Sequence, residues 1–274
     1  DLYVGNDLHP NSLFINDGQG RFLDVSEQSG AAYSYRGAAQ AGMGVTGADV
    51  NRDGHWDLFV TNFEGDYNTL YLNNQSAILA DQSRSAGLAD GSRPWIGWGT
   101  SFVDFDLDGW KDLIVTNGHI DNNLDKLGRD AQYAQPAILW HNREGIFHQL
   151  GEAVGSYFQL PHPGRGLATV DLDNDGDSDI VVTQQDQHPA LLRNDYRAAS
   201  AAGRGSVSIR LIGTSGNRDA VGATLRISDS TGTRIEQIQG GGSYLSAHDL
   251  RRIIALTTPD DRFHCEVSWP NGAR

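Results

Sequence analysis

Three nine-residue segments obey one rule, D-x-[DN]-x-D-G-x-x-D, and no other feature limits the fold of this sequence as tightly. They run from Asp49 to Asp57, from Asp104 to Asp112 and from Asp171 to Asp179. Each ninth-position Asp is followed by a strand-like run: Leu58-Phe59-Val60-Thr61-Asn62, Leu113-Ile114-Val115-Thr116-Asn117 and Ile180-Val181-Val182-Thr183-Gln184. Self-similarity of this kind marks a repeat architecture and takes priority over any local reading. The opening residues Asp1-Leu2-Tyr3-Val4-Gly5-Asn6 fit the same register. Asp1 is therefore expected to be the ninth position of a repeat whose first eight residues precede this sequence.

Further along each unit a second strand ends in Asn: Leu13-Phe14-Ile15-Asn16, Leu70-Tyr71-Leu72-Asn73, Leu139-Trp140-His141-Asn142 and Leu191-Leu192-Arg193-Asn194. Turn residues come next, as in Asp17-Gly18-Gln19-Gly20, and turn chemistry between two strands reads as a hairpin. Ninth positions at 1, 57, 112 and 179 give periods of 56, 55 and 67 residues. The surplus of the third unit is expected in the polar stretch from His119 to Gln135. Ahead of each motif lies an apolar, glycine-rich strand: Gly42 to Ala48, Gly97 to Val103 and Gly164 to Val170. Such glycines permit close backbone approach where inner strands crowd an axis.

Units of this length, with several short strands and no helical periodicity, predict radial blades of a β-propeller rather than a β-helix, whose repeat is far shorter. The expected fold class is all-β: a partial propeller of about three and a half blades over residues 1–196, then a small antiparallel β domain. Too few blades to close a ring predict a fragment truncated at its N-terminus, with unpaired strand edges. Residues 197–205 are small and flexible in composition and are the expected linker. Beyond it, alternating runs at Val207–Leu211, Thr224–Ile227 and Cys265–Trp269 predict the strands of a second domain over 206–274.

Charge narrows the function. The formal net charge is −14, and Lys111 and Lys126 are the only lysines, so the clustered cations that phosphate backbones require are missing and no nucleic-acid partner is expected. The acidity comes almost wholly from Asp, which favours turns and short-reach oxygen coordination over helix interiors. Only 6 of the 35 acidic residues are Glu. A single cysteine, Cys265, forms no intramolecular disulfide and reads as a small buried strand residue. No apolar run reaches the roughly 18 residues of a membrane span.

The motif has the chemistry of a cation loop. Oxygen-bearing side chains at positions 1, 3 and 5, a Gly at 6 for the sharp turn, a carbonyl at 7 and a carboxylate at 9 can wrap one hard ion. Ca²⁺ suits it best, because it accepts six to eight oxygens in flexible geometry whereas Mg²⁺ demands a tight octahedron. The expected side-chain ligands are Asp49, Asn51, Asp53 and Asp57; Asp104, Asp106, Asp108 and Asp112; and Asp171, Asp173, Asp175 and Asp179. The carbonyls would come from His55, Trp110 and Asp177. An EF-hand is disfavoured, because the flanks read as strands and Val60, Val115 and Val182 stand where its position-12 Glu belongs. The competing reading is a solvated Asx turn without metal.

Enzymatic signatures are absent: the sequence has no H-E-x-x-H, G-x-S-x-G or Walker loop. His119 with Asp121 is the one candidate acid/base pair, against a simple loop-fixing role. His141, His148, His162 and His188 lack metal-type spacing and are expected on loops. Trp95, Trp98, Trp110, Trp140 and Tyr133 are expected mainly in packing between blades, with stacking on sugar rings as the alternative. Gly240-Gly241-Gly242 reads as a turn between strands rather than an anion cradle.

These residues resemble FG-GAP/VCBS-type propeller repeats over 1–196. Gly213 to Ala223, Gln239 to Ser246 and Val267 to Gly272 resemble the ASPIC/UnbV domain. A propeller followed by that domain is the arrangement of the cartilage acidic protein family, which includes many bacterial members. Two departures stand out: Arg252-Ile253-Ile254-Ala255-Leu256-Thr257 lacks the glycine-containing run usual there, and the sequence stops at Arg274, so the C-terminal domain is expected to be incomplete. The resemblance implies export, structural calcium loops, and a non-enzymatic interaction or adhesion module that presents loops to a protein or glycan. The alternatives are an accessory or catalytic domain of a polysaccharide- or phosphodiester-cleaving enzyme, and a purely structural spacer.

Overall fold

The computed structural model describes residues 1–74, 78–151, 154–196, 205–214, 216–256 and 262–274. The expected linker lies outside the described residues except for Gly205. Four antiparallel sheets follow one another along the first 196 residues. The first holds β1 (Leu2–Val4), β2 (Ser12–Asn16) and β3 (Phe22–Asp24). The second orders β4 (Val45–Ala48), β5 (Asp57–Val60), β6 (Thr69–Asn73) and β7 (Leu79–Asp81) as a meander.

The third runs from β8 (Gly97–Val103) through β9 (Asp112–Asn117) and β11 (Ile138–Arg143) to β12 (Ile146–Gln149). The fourth holds β14 (Gly164–Val170), β15 (Asp179–Gln184) and β16 (Ala190–Leu192). In the surplus of the third unit, a four-residue helix at Leu124–Leu127 precedes β10 (Gln135–Pro136), which pairs with β13 (Pro161–His162). These sheets are the blades of a propeller arc, the first lacking an inner strand.

Inner strands β4, β8 and β14 stand side by side. Their glycines explain how: a Cβ on Gly44 would come within 2.0 Å of the Trp98 carbonyl, and one on Gly99 within 2.6 Å of the Arg165 carbonyl. No side chain fits there, and β8 and β14 both shift register at their G-x-G segment. Between blades the apolar faces interlock. Phe59, Leu70, Leu113, Trp140 and Phe147 fill one wedge, Leu13, Val60, Tyr71 and Leu79 a second, and Ile114, Leu139, Leu167, Ile180 and Val182 a third. Each such side chain contributes about 1.5–3 kcal/mol on full burial.

The C-terminal domain pairs β17 (Gly205–Ile209) with β20 (Arg252–Leu256), and sets β18 (Thr224–Asp229) between β19 (Gly232–Gln237) and β21 (His264–Ser268). Its core is Ala223, Leu225, Ile227, Ile238 and Ile254. Cys265 packs against that core from β21 but is only partly buried. No helix among the described residues is long and apolar enough to cross a membrane.

The segment from Gln239 to Asp249 does more than turn between strands. Ser243 exchanges backbone hydrogen bonds with Val45 on β4 and accepts the Thr100 N–H of β8 on its hydroxyl at 3.0 Å. Tyr244 packs edge-on to Trp98 at 4.7 Å. His248 Nδ1 accepts the Thr169 N–H of β14 at 3.1 Å. One tongue thus touches the inner strand of three successive blades.

Candidate metal centre

Each repeated loop joins an inner strand to the next strand out, at the same end of its blade. Position four has a positive φ in all three: 58° at Arg52, 54° at Leu107 and 59° at Asn174. The position-six glycines follow at 84°, 86° and 92°, where a Cβ would be strained. The backbone doubles back tightly enough for the side chains at positions 1, 5 and 9 to bond the loop's own amides.

Position-one carboxylates receive two N–H groups each in the first two loops. Asp49 accepts from Asp53 and Gly54, both at 3.1 Å, and Asp104 from Asp108 at 3.0 Å and Gly109 at 2.8 Å. Position five accepts the position-seven N–H, at 2.8 Å for Asp53, 2.8 Å for Asp108 and 3.2 Å for Asp175. Ninth-position carboxylates close the loop. One oxygen of Asp57, Asp112 and Asp179 accepts from Val50, Phe105 and Leu172 respectively, and the other from the strand-end Asn73, Asn142 and Asn194. Asn16 donates in the same way to Asp1 at 2.9 Å, so Asp1 occupies the ninth-position place in the first blade.

Oxygens of Asp104, Asp106 and Asp112 lie within 4.8 Å of one another, as do those of Asp171, Asp173 and Asp179. In the first loop the Asn51 amide donates to Asp53 at 2.9 Å, and Asp49, Asp53 and Asp57 are close enough to repel one another. Burial raises these groups far above the ordinary carboxylate range: Asp49 to about 6, Asp57 to about 7, Asp104 to about 7 and Asp112 to about 8. Desolvation is the leading cause and neighbouring carboxylates add to it. In the third loop Oδ1 of the buried Asp171 has no hydrogen-bond partner. Buried negative charge, an orphaned oxygen and an all-oxygen donor set fit a hard divalent cation.

Several neighbours of these loops carry no signal in the motif. His141 lies on β11, with Nε2 3.4 Å from oxygens of both Asp106 and Asp108. Its placement corrects the loop expectation, as do those of His148, on the outer strand β12, and His162, on β13 where it pairs with Gln135 of β10, whereas His188 lies between strands as expected. Only its position before the strand-end Asn142 could have flagged His141.

The C-terminal domain meets all three loops. The Ile235 backbone lies near enough to Asp49 to lower its pKa slightly, Lys111 pairs with Glu236, and Ser206 donates to the Gly176 carbonyl at 2.5 Å. Arg251 donates to the Asp171 carbonyl and to Asn174 Oδ1, both at 2.7 Å.

The candidate acid/base pair is not formed. Asp121 donates its backbone N–H to His119 Nδ1 at 2.9 Å, while its carboxylate lies 3.9 Å from Arg129. The His119 ring is 0% exposed, and Nε2 faces Glu64 at 3.6 Å. A substrate cannot touch it there, and its bonds fix the loop. Trp140 is wholly buried in the wedge between blades, whereas Trp98 lies beneath the Arg165 guanidinium at 4.7 Å.

Comparison with known proteins matches the FG-GAP-like repeat to residues 1–60 and 49–115, and the ASPIC and UnbV model to residues 213–274. Cartilage acidic protein 1 from Xenopus tropicalis, from Mus musculus and from Homo sapiens is in each case 26% identical over 278 aligned residues, covering 99% of this chain. The chain spans about two-fifths of the length of these relatives, 39–40%. Repeats, loops and terminal domain thus converge on one description: FG-GAP-like repeats followed by an ASPIC and UnbV domain, in a chain homologous to cartilage acidic protein 1.

Proposed function

We propose that this chain is a calcium-stabilised extracellular interaction module. The observation that carries the reading is the set of buried loop carboxylates held near neutrality, Asp49, Asp57, Asp104 and Asp112. Folding concentrates charge there that only protons or a cation can offset. Asp49, Asn51, Asp53 and Asp57 would hold one Ca²⁺, Asp104, Asp106, Asp108 and Asp112 a second, and Asp171, Asp173, Asp175 and Asp179 a third. The carbonyls of His55, Trp110 and Asp177 would complete the sets. Bound calcium supplies positive charge that cancels the loops' repulsion. Three ions would bring the formal charge from −14 to −8. Millimolar external calcium suits loops of modest affinity, which agrees with export.

The C-terminal domain covers the loop end of the blades, so the opposite end is the one free to meet a partner. Ile120, Leu127 and Leu160 are exposed on the connections there, and apolar tips on a rigid scaffold favour a protein or glycan ligand.

Thermal melting tests the metal. A site at ten times its Kd adds roughly 1.4 kcal/mol to the folded state. Chelation is expected to lower the midpoint, and excess Ca²⁺ but not Mg²⁺ to restore it. Indifference of the curve to both treatments overturns the proposal.

A further inference from the structure

Arg52, at position four of the first loop, leaves its own loop and enters the second. Its guanidinium lies 4.1 Å from the Trp110 ring centroid, and Nη2 donates to the Asp108 carbonyl at 3.4 Å. A Cβ on Gly109 would come within 2.4 Å of that Nη2. The glycine that lets the second loop turn therefore also admits the guanidinium. The charged groups acting on Arg52 are Asp104, Asp108 and Asp229, with Arg234 opposing them.

A second link runs beside it. Asn142 Nδ2 donates to the Val50 carbonyl of the first loop and to the Lys111 carbonyl of the second, both at 2.9 Å. The same residue's N–H holds Asp112. Between the second and third loops only the Asn link recurs, from Asn194 to the Phe105 carbonyl at 2.9 Å. Position four of the second loop is the buried, uncharged Leu107, and that of the third, Asn174, is held by Arg251 of the C-terminal domain.

We propose that cation binding at the first two loops is positively coupled, with Arg52 as the coupling residue. The proposal rests on the calcium reading above. Wrapping the first loop around an ion fixes the left-handed backbone at Arg52 and so aims the guanidinium. The aimed guanidinium, bonded to the Asp108 carbonyl and set against the Trp110 ring, holds the Asp108–Trp110 peptide in its wrapped form. The second ion then binds a loop already ordered. Linkage makes the effect reciprocal: an ion in the second loop strengthens binding in the first by the same factor. The third loop lacks an equivalent of Arg52 and stands outside the pair.

The test is a CaCl₂ titration of the metal-free full chain followed by NMR, with the Gly54 and Gly109 amides reporting the two loops separately, since each donates to its own position-one carboxylate. Asp106→Ala removes the position-three oxygen, blocks the second loop and is expected to weaken the first about tenfold, within the usual range of coupling. In Arg52→Ala both glycines still respond, but Asp106→Ala no longer changes the first loop's affinity. Trp110→Leu removes the stacking partner instead and is expected to abolish the coupling in the same way. This keeps the test decisive should Arg52→Ala fail to fold. Independent binding in the unaltered chain, or coupling that survives both substitutions, overturns the proposal. Silence of both glycine amides up to millimolar calcium overturns the calcium reading on which it rests.

Discussion

Lys111 Nζ lies 2.5 Å from Glu236 Oε1, which ties position eight of the second loop to β19 of the C-terminal domain. Both side chains are mostly buried, at 17% and 8% exposure. Removing one partner of such a pair strands the other charge, whereas replacing both with apolar groups is near neutral. Lys111→Met is expected to cost about 3 kcal/mol in urea unfolding. The double variant Lys111→Met/Glu236→Leu should recover most of that loss. Equal losses in the single and double variants would show that the pair does not hold the domains together.

Asp112 is raised to about 8 chiefly by burial, so its charged form opposes folding when no ion is bound. Asp112→Asn should therefore raise the melting midpoint of the chelated protein at pH 8. In calcium the same variant should fall below the unaltered chain, because a ligand is gone. A lower midpoint in both conditions would mean that the carboxylate acts only through its hydrogen bonds.

Two sets of groups give the metal-free chain opposing pH dependences. Asp49, Asp57, Asp104 and Asp112 have folded values raised to about 6–8. Their contribution is present in acid and is lost as pH rises through that range. His248 is lowered to about 4 by burial and by Arg252. Its contribution is present above about 6.5 and fades as pH falls toward 4, by about 3 kcal/mol at 1.36 kcal/mol per unit. Between about pH 4 and 6 four carboxylates act against one histidine, so stability in chelator should fall from about pH 4 upward, and saturating calcium should remove that fall and leave the opposite His248 dependence visible. Differential scanning calorimetry across pH 4–9 with and without calcium reads both dependences.

His119→Ala removes a fully buried ring and leaves the Asp121 N–H without its acceptor. The expected cost is about 2–3 kcal/mol, with no change in turnover across a panel of hydrolase substrates. Turnover on any substrate of a hydrolase panel that vanished in this variant would restore the catalytic alternative.

Gly44→Ala puts a methyl group 2.0 Å from the Trp98 carbonyl. Backbone there cannot yield without parting β4 from β8, so about 3 kcal/mol of destabilisation is expected. A change under 0.5 kcal/mol in chemical denaturation would show that the inner strands are not in close contact.

Local spacing made the loops legible. Position-specific Asp and Gly identified the tight turn, and the Asn16 bond to Asp1 bears out a register inferred from six residues. Alternation of apolar residues located the blades' strands for the same reason. Contacts between sheets were not legible, because they depend on how blades stack rather than on sequence neighbours. Arg52 and Trp110 lie in different repeats, and Gln239 bonds the Gly47 carbonyl across 192 positions. The tongue looked like a plain turn because glycine and serine suit both roles. His141 was missed because the motif specifies only the loop, while β11 delivers the imidazole from the neighbouring hairpin.

The tongue from Gln239 to Asp249 also imposes an order of events. Synthesis delivers these blades before the tongue that joins them, so their inner strands emerge from the ribosome with those hydrogen-bonding partners still untranslated. Val45, Thr100 and Thr169 can take up their bonds to Ser243 and His248 only once the chain has been made past residue 248.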